Sequence, residues 1–215
     1  MSVAKHMKFT ELAQKEARTE SLQFVKQYAN PHCWLLTADS LDEQADALWN
    51  RRNEGSLILT DGQNNVVGRW TLTNRATFLL AGFALENILK SLLVIENPSW
   101  VSNAKISSQL KSHNLVGLLA KSTLAPKSRS SNSILSTLAE GIESWARYPC
   151  ALSFDASRIE PEFKEKLWRN YRAVFGTYRR KVREKLSSGW KGPHEFYGRW
   201  SFDDAPPTPS PNPKY

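Results

Sequence analysis

A chain of 215 residues with 40% apolar and 23% charged residues can build one buried core, which excludes an intrinsically disordered protein. Its formal net charge of +8 favours anionic partners such as nucleic acids and nucleotides, because positive potential attracts them over a long range. Cys33 and Cys150 are too few for a disulfide framework and stand in no metal-ligand spacing. Residues 1–8 lack the apolar core of a signal peptide, so we expect a cytoplasmic protein. We also expect no metal and no cofactor.

Two helices are predicted in the N-terminal quarter of the chain. Residues 10–28 place apolar side chains among charged ones at helical spacing, and this helix should end before Pro31. Ser40 is followed by Glu43 three residues later, which is the pattern of a capping box at the start of a helix. We therefore expect a second helix at 41–52.

The middle of the chain predicts a hairpin followed by a buried helix. Two short β-prone runs in 56–71 flank turn-forming residues, so a small hairpin or loop insertion is expected there. In 73–96, eight consecutive residues at 78–85 carry no polar side chain, which predicts a helix buried on nearly all sides. Charged residues later in this helix exclude a membrane span, because a charge at the bilayer centre costs about 2.5–3.5 kcal/mol.

Three further helices are predicted at 114–121, 133–145 and 160–186, the first two separated by a serine-rich linker. The tail at 205–215 carries five prolines and is expected to be disordered. The sequence thus predicts an all-α fold with an N-terminal helical segment at 1–40, a helical domain at 41–187 and a partly disordered C-terminal extension at 188–215.

Glu86 and Lys90 lie four residues apart on the most apolar helix, which predicts that they face inward as an ion pair. Asn87 extends this pair into a polar stripe. A pair in such apolar surroundings loses solvation and needs a structural or functional reason. It either ties neighbouring helices together or belongs to a polar binding site between them.

His113 and Asn114 stand at the predicted start of the 114–121 helix. Asn114 has the side chain of a helix cap, and His113 beside it could contact phosphate, act as a general base or serve structure alone. Arg147 and Tyr148 follow the end of the 133–145 helix. Arg147 there could bind phosphate or carboxylate, or only compensate the helix dipole.

Five arginines of the 160–186 helix share one stripe on a helical wheel, opposite its apolar face. They are Arg169, Arg172, Arg179, Arg180 and Arg183. Such a stripe could follow a phosphate backbone, or it could be a solvated face, since Glu165 and Glu184 lie nearby.

The segments FALENILK at 83–90, SHNL at 112–115 and RYP at 147–149, in this order, resemble the signature of HEPN-like helical bundle proteins. This resemblance implies an antiparallel helical bundle of four or five core helices over 41–187, often dimeric, in prokaryotic antiviral defence or toxin–antitoxin systems. Many members are metal-independent ribonucleases whose active site is an arginine followed by a histidine after four to six residues. None of the four histidines here has an arginine at that distance.

The missing motif favours a binding module over an enzyme. We therefore expect a HEPN-like module that binds nucleic acid or a nucleotide and pairs with a second copy or a partner protein. Two alternatives stay open. One is a metal-independent ribonuclease that brings His113 and Arg147 together in space, and the other is a non-catalytic protein–protein interaction module.

Overall fold

The computed structural model describes residues 14–52, 55–71, 74–144, 146–147, 153 and 165–203. These residues are predominantly helical, as the sequence predicts, and contain two small two-stranded sheets. The elements in chain order are α1 at 14–24, α2 (Pro31–Asn50), β1 (Ser56–Thr60), β2 (Val66–Thr71), α3 (Asn74–Glu96), α4 (Leu115–Lys121), α5 (Arg129–Glu143), α6 (Glu165–Ser188), β3 (Trp190–Lys191) and β4 (Tyr197–Gly198). A π-helical turn, Val25–Ala29, joins α1 to α2.

The predicted helix start after Ser40 is wrong, because α2 begins ten residues earlier, at Pro31. The side-chain oxygen of Asn30 accepts a hydrogen bond from the Cys33 backbone N–H at 3.2 Å, and Pro31 occupies the first helical position. Helix α2 runs through the capping pattern at Ser40 without a break. Leu35, which precedes Ser40, is already buried in the core. The predicted boundary between a 1–40 segment and the main domain therefore falls inside α2.

Helix α3 lies at the centre of the described residues and contacts α2, α4, α5 and α6. Its side chains Leu85, Ile88 and Leu92 have no exposed surface, which confirms the prediction of a helix buried on nearly all sides. A Cβ atom at Gly82 would lie 2.8 Å from the Ile142 side chain, so this glycine permits the close approach of α3 and α5.

By length and composition alone, α3 could also cross a membrane. In its most apolar stretch, however, 72% of the residues are buried inside the protein. Burial of this kind is typical of the core helix of a soluble protein.

Helix α6 presents the predicted apolar face to the core, with Tyr171, Tyr178 and Val182 buried. Its predicted first residues, 160–164, lie outside the described residues. Helix α5 starts four residues earlier than predicted, because Ser128 and its partner in a capping box turn part of the expected linker into the first helical turn.

The predicted hairpin is present: β1 pairs with β2 in antiparallel register, with Ile58 opposite Arg69 and an irregularity after Leu59. A second, unpredicted hairpin forms from β3 and β4. Trp190 in β3 is buried, and the Trp200 backbone N–H donates to the Leu186 carbonyl at 3.2 Å. Residues 188–203 of the C-terminal extension are thus part of the fold, and its proline-rich tail lies outside the described residues.

Candidate functional site

Glu86 of α3 is the centre of a buried polar cluster. The Lys90 Nζ atom lies 2.5 Å from Glu86 Oε1, and His113 Nδ1 lies 2.9 Å from Glu86 Oε2. The side chains of Glu86 and Lys90 are only 6% and 7% exposed, whereas that of His113 is 62% exposed. The predicted inward-facing pair is confirmed, and the structure joins His113 to it.

In this Glu86 cluster, one carboxylate oxygen contacts the Lys90 ammonium and the other contacts the His113 imidazole. Charge-assisted hydrogen bonds of this kind are stronger than neutral ones, so they hold the carboxylate in one orientation. The Lys90 ammonium also lies 5.7 Å from the centre of the Trp34 ring, within the range of a cation–π contact. If His113 is neutral and carries its proton on Nδ1, it donates to Glu86 and leaves Nε2 as a base.

The two candidate asparagines are engaged in local backbone hydrogen bonds. The Asn114 side chain accepts from the Gly117 N–H at 2.8 Å, which confirms it as the cap of α4. Asn87 donates from its side chain to the Phe83 carbonyl at 2.8 Å, one turn earlier in α3. Both amides therefore have a structural role that is independent of any ligand.

Arg147 lies exposed in the turn that follows α5, where its backbone N–H donates to the Ser144 carbonyl at 3.1 Å. Within the described residues, no hydrogen bond or ion pair joins the Arg147 side chain to His113. Tyr148 lies outside the described residues. The convergence of His113 and Arg147 therefore stays a prediction.

The five arginines of α6 do not form one free basic face. Arg172 Nη1 lies 2.7 and 2.6 Å from the two carboxylate oxygens of Asp42. Arg179 makes a bidentate pair with Asp39, at 2.8 Å from Nε and 2.9 Å from Nη2. These two arginines are therefore paired with acidic side chains of α2 and tie α6 to that helix, although both stay partly exposed.

Asp42 also accepts a hydrogen bond from the Tyr171 hydroxyl at 2.7 Å. Burial, together with the neighbouring Asp42 carboxylate, raises the pKa of Tyr171 well above its usual value of 10.0. Tyr171 therefore stays protonated, and the Asp42 carboxylate holds a neutral donor and a guanidinium at the same time.

A groove of about 520 Å³ runs along the part of α6 that follows Gly176. It is lined by Arg179, Arg180 and Arg183 together with Phe202 from the C-terminal extension. The guanidinium carbon of Arg183 lies 4.4 Å from the centre of the Phe202 ring. We call this surface the α6 groove; Arg169, at the other end of the helix, does not line it.

A second depression, of about 530 Å³, continues the α6 groove, since both are lined by Ser187 and Phe202. Arg199 and Trp200 line the second depression, and the Trp200 ring lies 5.3 Å from the His32 ring. The sequence interpretation missed these residues because it treated 188–215 as an extension. Their signal was the high density of aromatic residues between 190 and 202.

Arginines beside aromatic rings can bind phosphates and stack against bases, whereas the Glu86 cluster can hold an imidazole for proton transfer. The two surfaces thus offer different chemistry. Comparisons with protein-family models, curated proteins and solved structures found no significant match.

Proposed function

We propose that this chain is a HEPN-like helical-bundle module that binds single-stranded nucleic acid in the α6 groove. The observation that carries the proposal is that arginines line one groove together with the aromatic ring of Phe202, on which Arg183 stacks. Proteins that bind single strands combine such cationic grooves with aromatic platforms. A cytoplasmic role in prokaryotic antiviral defence or a toxin–antitoxin system agrees with the HEPN resemblance.

The charges that line the α6 groove favour the binding of a polyanion. Arg180 is exposed on the outer side of α6, and Arg183 lies one turn closer to the C-terminus. Glu184, the acidic residue of the groove, lies 3.2 Å from Lys181, which offsets its charge. Exposed Arg180 therefore gives the groove a positive charge even though Arg179 is paired with Asp39.

Fluorescence anisotropy with a labelled RNA strand of about 20 nucleotides tests this proposal. Arg180→Ala with Arg183→Ala should weaken binding and reduce the slope of log affinity against log salt by about 1.4, since each lost phosphate contact contributes about 0.7. Arg169→Ala is the control for the loss of one positive charge, because Arg169 lies about 16 Å from Arg180 along the helix axis. A loss per removed charge that is equal in the groove variant and the control would refute a binding site in the α6 groove.

A second candidate function, metal-independent RNA cleavage, is favoured by the hydrogen bond between Glu86 and His113. In this reaction His113 Nε2 takes the proton of a ribose 2′-hydroxyl, and the resulting oxygen attacks the adjacent phosphorus. The bond to the 5′-oxygen breaks, and the proton held by His113 passes through solvent to that oxygen, leaving a 2′,3′-cyclic phosphate. Buried Glu86 keeps the imidazole in one orientation, as carboxylates do in catalytic triads.

The cleavage candidate is tested by incubating RNA with the protein in the presence of EDTA. Wild-type protein should cleave, His113→Ala should abolish cleavage, and Glu86→Gln should slow it by about a hundredfold or more. Intact RNA with wild-type protein would exclude this reaction and leave nucleic-acid binding as the function. Cleavage that survives His113→Ala would exclude His113 as its base.

A further inference from the structure

The β1–β2 hairpin exposes branched aliphatic side chains on both of its faces. Leu57, Ile58, Leu59, Val66 and Val67 are each between 45% and 60% exposed. Within the described residues the two strands pair only with each other, and an isolated two-stranded hairpin is marginally stable in water. Contiguous apolar surface of this kind on a soluble protein is typical of an interface.

The free edge of β1 also lacks two features that normally prevent strands from pairing between molecules. Those features are charged side chains and proline in the edge strand. The five residues of β1, Ser56–Thr60, include no charge and no proline. In β2, by contrast, Arg69 lies opposite Ile58 and places a charge within the strand.

We propose that a second copy of this chain pairs with the β1 edge, antiparallel and about a two-fold axis at Ile58. In this register Ile58 lies opposite its own counterpart, and Leu57 of one protomer lies opposite Leu59 of its partner. The strand is self-complementary, as an isologous interface requires, and no like charges meet along it. The two hairpins together form a four-stranded sheet, which is a stable unit where an isolated hairpin is not.

The size of the hairpin limits the strength of this dimer. Five half-exposed aliphatic side chains cover less than the roughly 800 Å² that each partner buries in a standard complex. We therefore expect a dissociation constant on the order of micromolar. Each chain carries a net charge of +8, so salt should strengthen dimerisation by screening repulsion.

Sedimentation equilibrium of the full chain tests the proposal. The mean mass should rise from 24.4 kDa toward twice that value with concentration, and more so at high salt. Leu57→Lys should weaken dimerisation at least about tenfold, because it places a cation in the apolar strand pairing. Leu36→Lys is the matched control, since Leu36 is 61% exposed on α2 and lies outside the hairpin.

A cross-linking experiment keeps the register testable even if a lysine disturbs the hairpin. In a Cys33→Ser, Cys150→Ser background, Ile58→Cys should form disulfide-linked dimers under mild oxidation, whereas Gln63→Cys in the hairpin turn should not. A monomeric mass at every concentration and salt, equal effects of both lysine variants, or equal cross-linking at both positions would overturn the proposal. Added salt should weaken nucleic-acid binding but strengthen dimerisation, so a failure of one proposal can be told from a failure of the other.

Discussion

Removing the Glu86 carboxylate should destabilise the fold far more than an average substitution. Glu86→Ala leaves the Lys90 ammonium, with a side chain only 7% exposed, without its carboxylate partner. It also removes the acceptor of His113 Nδ1. Breaking a buried pair by removing one partner costs about 3–5 kcal/mol, whereas most single substitutions cost about 1 kcal/mol.

The surroundings of Lys90 place the expected loss at the lower end of that range. The Trp34 ring, 5.7 Å from Lys90 Nζ, remains in the variant and compensates part of the charge. We therefore expect a loss of about 3 kcal/mol, which corresponds to a fall in melting temperature of roughly 6–12 °C for a chain of this size.

Urea unfolding followed by circular dichroism measures this loss as a lower midpoint with an unchanged slope. Glu86→Leu combined with Lys90→Met removes both charges and should recover most of the stability, because well-packed apolar residues can replace a buried ion pair. His113→Ala should cost less than about 1 kcal/mol, since its side chain is 62% exposed. A Glu86→Ala loss below about 1 kcal/mol, or a double variant as unstable as the single one, would refute the reasoning.

Two further predictions concern packing and pH. Gly82→Ala should lower the free energy of unfolding by about 1–3 kcal/mol, because its Cβ would lie 2.8 Å from Ile142. Adding Ile142→Val to this variant should restore part of the lost stability. Urea unfolding measures both changes. The raised pKa of Tyr171 means that unfolded chains lose the phenol proton first, so stability should fall as pH rises above about 10. Tyr171→Phe should reduce that alkaline loss in thermal melts, and an unchanged pH dependence would contradict it.

The elements that the sequence predicted best are those whose pattern is strong over many residues. Helix α3 is apolar over most of its length, and α6 repeats buried residues at three- and four-residue steps. Asn114 was predictable as a cap because it directly precedes the apolar run of α4.

The start of α2 was predicted wrongly because two capping signals compete there. Ser40 and Glu43 match a capping box, but a local cap contributes only about 1 kcal/mol. The buried side chains of Leu35 and Ala45 lie on either side of Ser40 and belong to one continuous helix. Burial along the whole helix outweighs the local signal, and the sequence alone does not reveal that burial.

Contacts within one helix were predictable from spacing, and contacts between helices were not. The Glu86–Lys90 pair follows from positions four residues apart on one helix. The contact of His113 with Glu86 joins residues 27 positions apart and depends on the chain between α3 and α4. The pair of Arg179 with Asp39 spans 140 positions, so a helical wheel of α6 alone assigns that arginine to solvent.

The ion pair between Asp39 and Arg179 leads to a prediction about affinity: removing the acidic charge of Asp39 should strengthen nucleic-acid binding. Asp39→Asn keeps the shape of the side chain but takes one negative charge from the border of the α6 groove, which Arg179 lines. The exposed fractions of 28% for Asp39 and 37% for Arg179 mark a partly solvated pair, so the loss of stability should stay within about 1 kcal/mol.

The gain in affinity can be estimated from the charge alone. One unit charge at about 7 Å from a phosphate contributes about 0.6 kcal/mol in water, which is roughly a threefold tighter dissociation constant at low salt. Asp46→Asn is the matched control, because it makes the same change of charge about two turns further along α2. Anisotropy with the labelled RNA strand should show a gain for Asp39→Asn that exceeds the gain for Asp46→Asn and fades as salt is added. Equal gains in the two variants would mean that net charge, rather than the α6 groove, governs binding, and weaker binding by Asp39→Asn would mean that the groove needs the pair intact.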